Sequence, residues 1–198
     1  MTMEIAVAQR PAENETVCGD AVEIVRAEET LIAVADGLGH GPDAAEASQA
    51  FCRYVQDNAS LGLEDIIMGA SSEISRTRGV ACGLLRIDAS EKVMTFAGVG
   101  NIDVQAVSVN DIHPICMPGI VGQRVRKLQS FEYELHPGDL VAIYSDGISS
   151  RFDLGKYSHL EVQELADAIL ADSGKNHDDA TCVVLRLAGE TDDGRAPR

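Results

Sequence analysis

The chain has 198 residues, with 32 acidic side chains against 16 basic ones and a formal net charge of −16. Nucleic acid and anionic membranes attract cationic surfaces, so neither is expected as the main partner, whereas divalent cations are drawn wherever the acids converge. One domain of this length can bury about 70% of its unfolded surface; with 45% hydrophobic residues, 4% aromatics and no Trp, its core must be built from Val, Ile, Leu and Ala.

Taken in order, Met3 to Ala8 reads as an opening strand and Val17 to Val25 as a second extended segment, with Gly19-Asp20 near its start. The apolar run Leu31 to Ala35 is long enough for a buried strand and ends on Asp36, followed by Gly37, Gly39 and Gly41. Pro42 then suits a first helical position, with Asp43 and Glu46 near the helix start. Ala47, Ala50, Phe51, Tyr54 and Val55 give this helix, predicted to run to about Gln56, one apolar face. A second helix is predicted over Leu63 to Ser75. Val80 to Ile87, Lys92 to Val99 and Ile102 to Val109 read as strands separated by the turn signals Asp88-Ala89-Ser90 and Gly100-Asn101, a meander. Pro114 to Gln123 reads as irregular. Phe131 to Leu135 and Leu140 to Tyr144 are further strands, Leu160 to Leu170 an amphipathic helix, and Ala180 to Leu187 a closing strand.

Nine strands and three helices, with neighbouring strands mostly joined by short turns, favour antiparallel sheets with helices packed outside. The expected fold class is α+β, an αββα sandwich of two sheets flanked by helices. One domain is expected over residues 1–188, with a disordered polar tail at 189–198. The five cysteines are an odd count without a C-x-x-C pair and lie mostly in apolar runs, as reduced core thiols do. An N-terminal signal and an 18-residue apolar run are both missing, so a cytoplasmic protein is expected.

One chemical pattern occurs twice. Asp36-Gly37 follows LIAVA and Asp146-Gly147 follows LVAIYS, each placing an acid and then a glycine at the end of a buried strand. Asp178-Asp179 precedes the closing strand, and Asp20 follows Gly19. A single Asp-Gly after a strand is readily a hairpin turn; its recurrence is what suggests that the strand ends meet. Gathered carboxylates repel unless protons or cations intervene. Hard divalent ions with oxygen ligands, Mg²⁺ or Mn²⁺, answer that need, and a glycine carbonyl can add a further oxygen. Two such ions, roughly 3.5–4 Å apart, would activate a bridging water and take up charge on a phosphoryl group.

Two other chemistries fit less well. Gly39-x-Gly41-x-x-Ala44 after a strand matches a dinucleotide-binding fingerprint, but Asp36 would sit against the pyrophosphate. Cys82 and Arg86 lie four apart, yet inside an apparent strand, which cannot wrap a phosphate as a cysteine-type phosphatase requires. A third alternative is a folded but catalytically weak or inactive docking module.

ADGLGHG at 35–41, GVGN at 98–101, YSDG at 144–147 and HDDAT at 177–181, in this order, resemble the motifs of the metal-dependent PPM (type 2C-like) serine/threonine protein phosphatases. The likeness is greatest to the SpoIIE branch, and within it to the small stand-alone RsbX-type stressosome phosphatases. The resemblance implies two Mn²⁺ or Mg²⁺ ions held by Asp20, Asp36, Asp146 and Asp178 and by the Gly37 carbonyl, with Asp179 as a neighbour of the last ligand. It implies hydrolysis of phosphoserine and phosphothreonine, through metal-bound water placed by Asp36 and Asp146, on STAS-domain stressosome proteins. The enzyme is expected to act as a monomer. The sequence departs from eukaryotic relatives at Leu38, where they carry a His; His40, two residues later, is a candidate catalytic residue. Their phosphate-binding Arg has no counterpart near Glu15-Thr16, and the short Pro118–Arg126 segment leaves no room for a large flap.

Overall fold

The computed structural model describes residues 2–188; the expected tail at 189–198 lies outside them. Two antiparallel sheets form the centre. The first has four strands in the order β1 (Thr2–Arg10), β11 (Ala180–Ala188), β10 (Leu140–Tyr144) and β6 (Asp103–Val107). The second has five, in the order β2 (Asp20–Arg26), β3 (Thr30–Gly37), β4 (Val80–Asp88), β5 (Val93–Val99) and β9 (Ser130–Glu134). Helices α1 (Pro42–Asp57) and α2 (Leu63–Glu73) cover the outer face of the five-stranded sheet, and α3 (Val162–Ser173) covers the other. The layers are therefore α, β, β, α, as the turn-linked strands predict.

Three apolar clusters fill the gaps between these four layers. Along β3, Leu31, Ala33 and Ala35 face α1 and α2 together with Phe51, Val55, Ile66 and Ile67. The alternate residues Ile32 and Val34 face the opposite sheet, against Ile143, Val183 and Leu185. On β11, Cys182 and Val184 turn to α3, where Leu165 and Ile169 meet them. A strand covered on both faces needs apolar residues at every position, which is why LIAVA and TCVVL read as continuous runs instead of alternating ones. Small residues let the outer helices approach closely: a Cβ on Gly69 of α2 would collide with the Tyr54 hydroxyl of α1.

The elements match the sequence expectation closely, with three informative differences. The second strand begins at Asp20, not Val17, because its pairing with β3 starts with Asp20 opposite Asp36. The third helix spans Val162–Ser173, shifted toward the C-terminus from the predicted 160–170. The segment expected to be irregular, 114–123, contains one short strand, β7 (Gly119–Ile120), which forms a small hairpin with β8 (Arg124–Val125) just beyond it. All five cysteines are free, and Cys52, Cys82 and Cys182 are buried. Cys82 and Arg86 lie on β4 with the Cys82 thiol fully buried, so the cysteine-phosphatase chemistry has no loop to act from. The antiparallel sheet around β3 likewise lacks the parallel β-α-β unit of a dinucleotide fold. Among the described residues, no helix is long and apolar enough to cross a membrane.

Candidate metal centre

The two sheets bring their acidic strand ends to one pole. From the five-stranded sheet come Asp20, at the start of β2, and Asp36, near the end of β3, directly opposite each other in the antiparallel register. From the four-stranded sheet come Asp146, just past the end of β10, and Asp178 and Asp179, just before β11; these ends are joined by a bond from the Ser145 N–H to the Thr181 carbonyl at 3.0 Å. The Ser145 side chain links the two groups. The Ser145 hydroxyl donates to Asp20 Oδ2 at 2.7 Å and accepts from the Thr181 N–H at 3.0 Å. Gln9 adds a second tie from β1, donating to both the Asp20 carbonyl and the Thr181 hydroxyl at 3.0 Å.

Electrostatics show that these acids feel one another. Burial pushes the Asp36 carboxyl up to about 8, reinforced by the charges of Asp20, Asp146, Asp178 and Asp179. Burial likewise raises Asp20, to about 6, with the Ser145 and Thr181 hydroxyls opposing the rise and Asp179 and Asp178 adding to it. Asp178 is raised by burial and then by Asp146. The thiol of Cys18, beside the same group, is pushed up to about 12 by burial and by Asp20 and Asp179.

Glycines allow the close approach. A Cβ on Gly19 would stand 2.5 Å from Asp179 Oδ2, one on Gly37 would collide with the backbone carbonyl of Ala44 in α1, and one on Gly147 with the carbonyl of Asp179. Gly37 and Gly147 therefore let α1 and the Asp178-Asp179 turn press directly onto the strand ends. Gly39 and Gly41 have φ of 90° and 74°, the left-handed region that carries the loop into α1.

The site residues predicted from sequence divide into two groups here. Asp20, Asp36, Gly37, Asp146, Asp178 and Asp179 come together at this pole. His40 stands apart: it is exposed, and its Nδ1 contacts Glu15 Oε1 at 2.6 Å. Asp179 is held more firmly than a solvated turn residue would be, buried with Oδ1 accepting from the Ala12 N–H at 3.0 Å.

Supporting residues that sequence reasoning did not single out surround the acids. Asn101 Nδ2 donates to Asp146 Oδ2 at 2.6 Å. The Lys175 ammonium donates to the Asp146 carbonyl oxygen. Ser145 and Thr181 lie beside the acids in YSDG and HDDAT, and Asn101 closes the motif GVGN, which was the available signal; Gln9 and Lys175 carried none.

Two polar atoms test whether a divalent cation fits. Asp20 Oδ1 and Asp179 Oδ2 are buried and have no hydrogen-bond partner, a costly state for carboxylate oxygens. Both sit in a group of hard oxygen donors, the donor set that Mg²⁺ and Mn²⁺ prefer. Among the described residues no three Asp, Glu, His or Cys side chains form a closed ligand cluster. The acids stand as charge-coupled neighbours. The residues fit the ions.

Known proteins resemble this chain in sequence and in fold. Phosphoserine phosphatase RsbX of Bacillus subtilis (strain 168) is 27% identical over 193 residues, covering 94% of this chain and 96% of that protein. A solved structure of RsbX in complex with magnesium superposes with a TM-score of 0.84 at 25% identity, over 94% of this chain and 96% of that one. A structure described as "The bacterial stressosome: a modular system that has been adapted to control secondary messenger signaling" is 32% identical, with a TM-score of 0.90, over 94% of this chain and all of that one (100%). The family model of Stage II sporulation protein E (SpoIIE) matches residues 26–188, well over half of the sequence, and the chain belongs to that family.

Proposed function

We propose that this chain is a cytoplasmic, monomeric protein serine/threonine phosphatase, dependent on two Mn²⁺ or Mg²⁺ ions, that removes phosphate from phosphoserine and phosphothreonine on STAS-domain proteins of the stressosome type. The observation that carries the reading is the pair of buried, unpartnered carboxylate oxygens, Asp20 Oδ1 and Asp179 Oδ2, within a group of five acids. Membership of the SpoIIE family and the likeness to RsbX support the reaction class and the partners.

In this reading Asp20, Asp36, Asp146 and Asp178 hold the ions with the Gly37 carbonyl, and Asp179 stands behind Asp178. When bound, divalent ions lower the pKa of a coordinated water and take up charge on the phosphoryl oxygens. The chain's own residues orient the acids for that task. Ser145 fixes one oxygen of Asp20 and leaves the other toward the group. Asn101 fixes one oxygen of Asp146, while Lys175 anchors the Asp146 backbone. His40, bound to Glu15, supports the glycine turn ahead of α1.

The test is phosphate release from para-nitrophenyl phosphate and from a phosphorylated STAS-domain protein, with saturating Mn²⁺ and then with excess EDTA. Release from both, abolished by EDTA and restored by Mn²⁺ or Mg²⁺, is expected. No release from either substrate with metal present would sink the enzyme reading and leave a docking module.

A further inference from the structure

The acidic pole of a chain with net charge −16 repels the substrate it is proposed to accept, because a phosphorylated segment carries close to two extra negative charges. The molecule places its counterweight beside that pole. Residues 74–81, which lead into β4 at that pole, and 112–131 contain no Asp or Glu, and together they carry five of the chain's 16 basic residues. The fold brings the two segments together. Val80 pairs with Gly37 across β3 and β4, and on its other side Val80 exchanges two backbone hydrogen bonds with Val121, each 2.9 Å. Val121 thus lies two strand spacings from Gly37, roughly 10 Å. The Gln123 side-chain amide donates to the Arg78 carbonyl at 2.7 Å, tying the β7–β8 hairpin to the loop before β4.

Arg124 and Arg126 are exposed and, being two residues apart, belong to one face of the hairpin arm. Both line a cavity of about 360 Å³, with Pro118 and Ile120 as its apolar part. Arg78 is held at 2.6 Å by Asp43. Among the described residues Arg124 and Arg126 have no carboxylate within ion-pair distance.

We infer that the β7–β8 hairpin is a docking site for an acidic segment of the phosphoprotein substrate, with Arg124 and Arg126 as its cationic anchors. Arg presents a planar fork that matches a carboxylate in two parallel hydrogen bonds. A local cationic patch beside a repelling mouth also raises the encounter rate of an anionic partner, and it does so less in high salt. This inference rests on the phosphatase reading and adds to it a surface that selects protein substrates over small phosphate esters.

The experiment compares the wild type with R124E/R126E on a fluorescently labelled phosphoserine peptide flanked by Asp and Glu, and on para-nitrophenyl phosphate, both with Mn²⁺. A control variant, R151E/K156E, reverses two exposed charges near α3. For R124E/R126E the peptide's KM and its Kd by anisotropy are expected to rise at least tenfold. Peptide kcat, para-nitrophenyl phosphate turnover and Tm should stay at wild-type values, and the dependence of peptide kcat/KM on salt should flatten. Unchanged KM and Kd would overturn the inference, as would an equal loss in the control or an equal loss on both substrates. If the wild type hydrolyses neither compound, the phosphatase reading fails, while the anisotropy comparison still decides the docking surface.

Discussion

The two strand-Asp-Gly units look alike in sequence and are treated differently by the fold. Asp36 and Gly37 remain inside β3, paired on both sides, with Asp20 opposite Asp36 and α1 pressed onto Gly37. Asp146 and Gly147 lie beyond the end of β10, where Asn101 and Lys175 hold Asp146 from two directions. Asp36 thus meets burial and four like charges, and its carboxyl rises to about 8. Asp146 instead receives an amide donor on its carboxylate and an ammonium on its carbonyl. The shared pattern fixes where an acid emerges; what packs around it decides which partners that acid meets.

The largest effect that sharpens this contrast is loss of either acid. Asp36→Asn and Asp146→Asn are each expected to cut metal-dependent turnover by at least a thousandfold while far-UV circular dichroism stays native. In EDTA near neutral pH, Asp36→Asn should melt above the wild type because it removes a buried carboxyl that must take up a proton on folding, and Asp146→Asn should gain less. Wild-type turnover in both variants would remove the pair from the site.

Next in size is the support of Asp146. Asn101→Ala is expected to lower turnover or metal affinity by about 10–100-fold, the usual cost of losing a hydrogen bond to a ligand. Asn101 is exposed and its side chain fills no core, so the melting temperature should move little. A large stability loss with intact metal affinity would assign Asn101 to folding instead.

The smallest effect is on pH dependence without metal. The Asp36 carboxyl titrates near 8 in the folded protein and near 4 when unfolded, so between those values only the folded chain keeps the proton. The stability due to this group is fully present below about pH 4 and is lost as pH rises toward 8. Urea midpoints in EDTA should therefore fall between pH 5 and 8, less steeply in Asp36→Asn. Saturating Mn²⁺ should reverse the trend, since metal affinity grows as carboxyl protons leave. Identical slopes for wild type and Asp36→Asn would refute the assigned charge state.

Most of the fold was readable in the sequence because its signals are local. Turn residues such as Asp88-Ala89-Ser90 and Gly100-Asn101 separate the strands, and uninterrupted apolar runs mark strands covered on both faces. The β7–β8 hairpin escaped because two-residue strands carry no period. The acids were visible for a similar reason: each stands at a strand end beside glycine or a second acid. Which acid each support holds was not, since the two partners come from distant parts of the chain. Ser145 reaches Asp20 across 125 residues, and Asn101 reaches Asp146 across 45. Nothing near Gln9 or Lys175 marks them as partners of the acids. The partner of His40 was likewise not visible: it contacts Glu15, 25 residues upstream.

The Ser145–Asp20 hydrogen bond spans the seam between the two halves of the sandwich. The five-stranded half brings Asp20 and Asp36, and the four-stranded half Asp146, Asp178 and Asp179, so the group of five is assembled only where the two halves meet. Cutting that tie with Ser145→Ala is expected to loosen the contact between the halves at the acidic pole while leaving the strand pairing within each sheet intact.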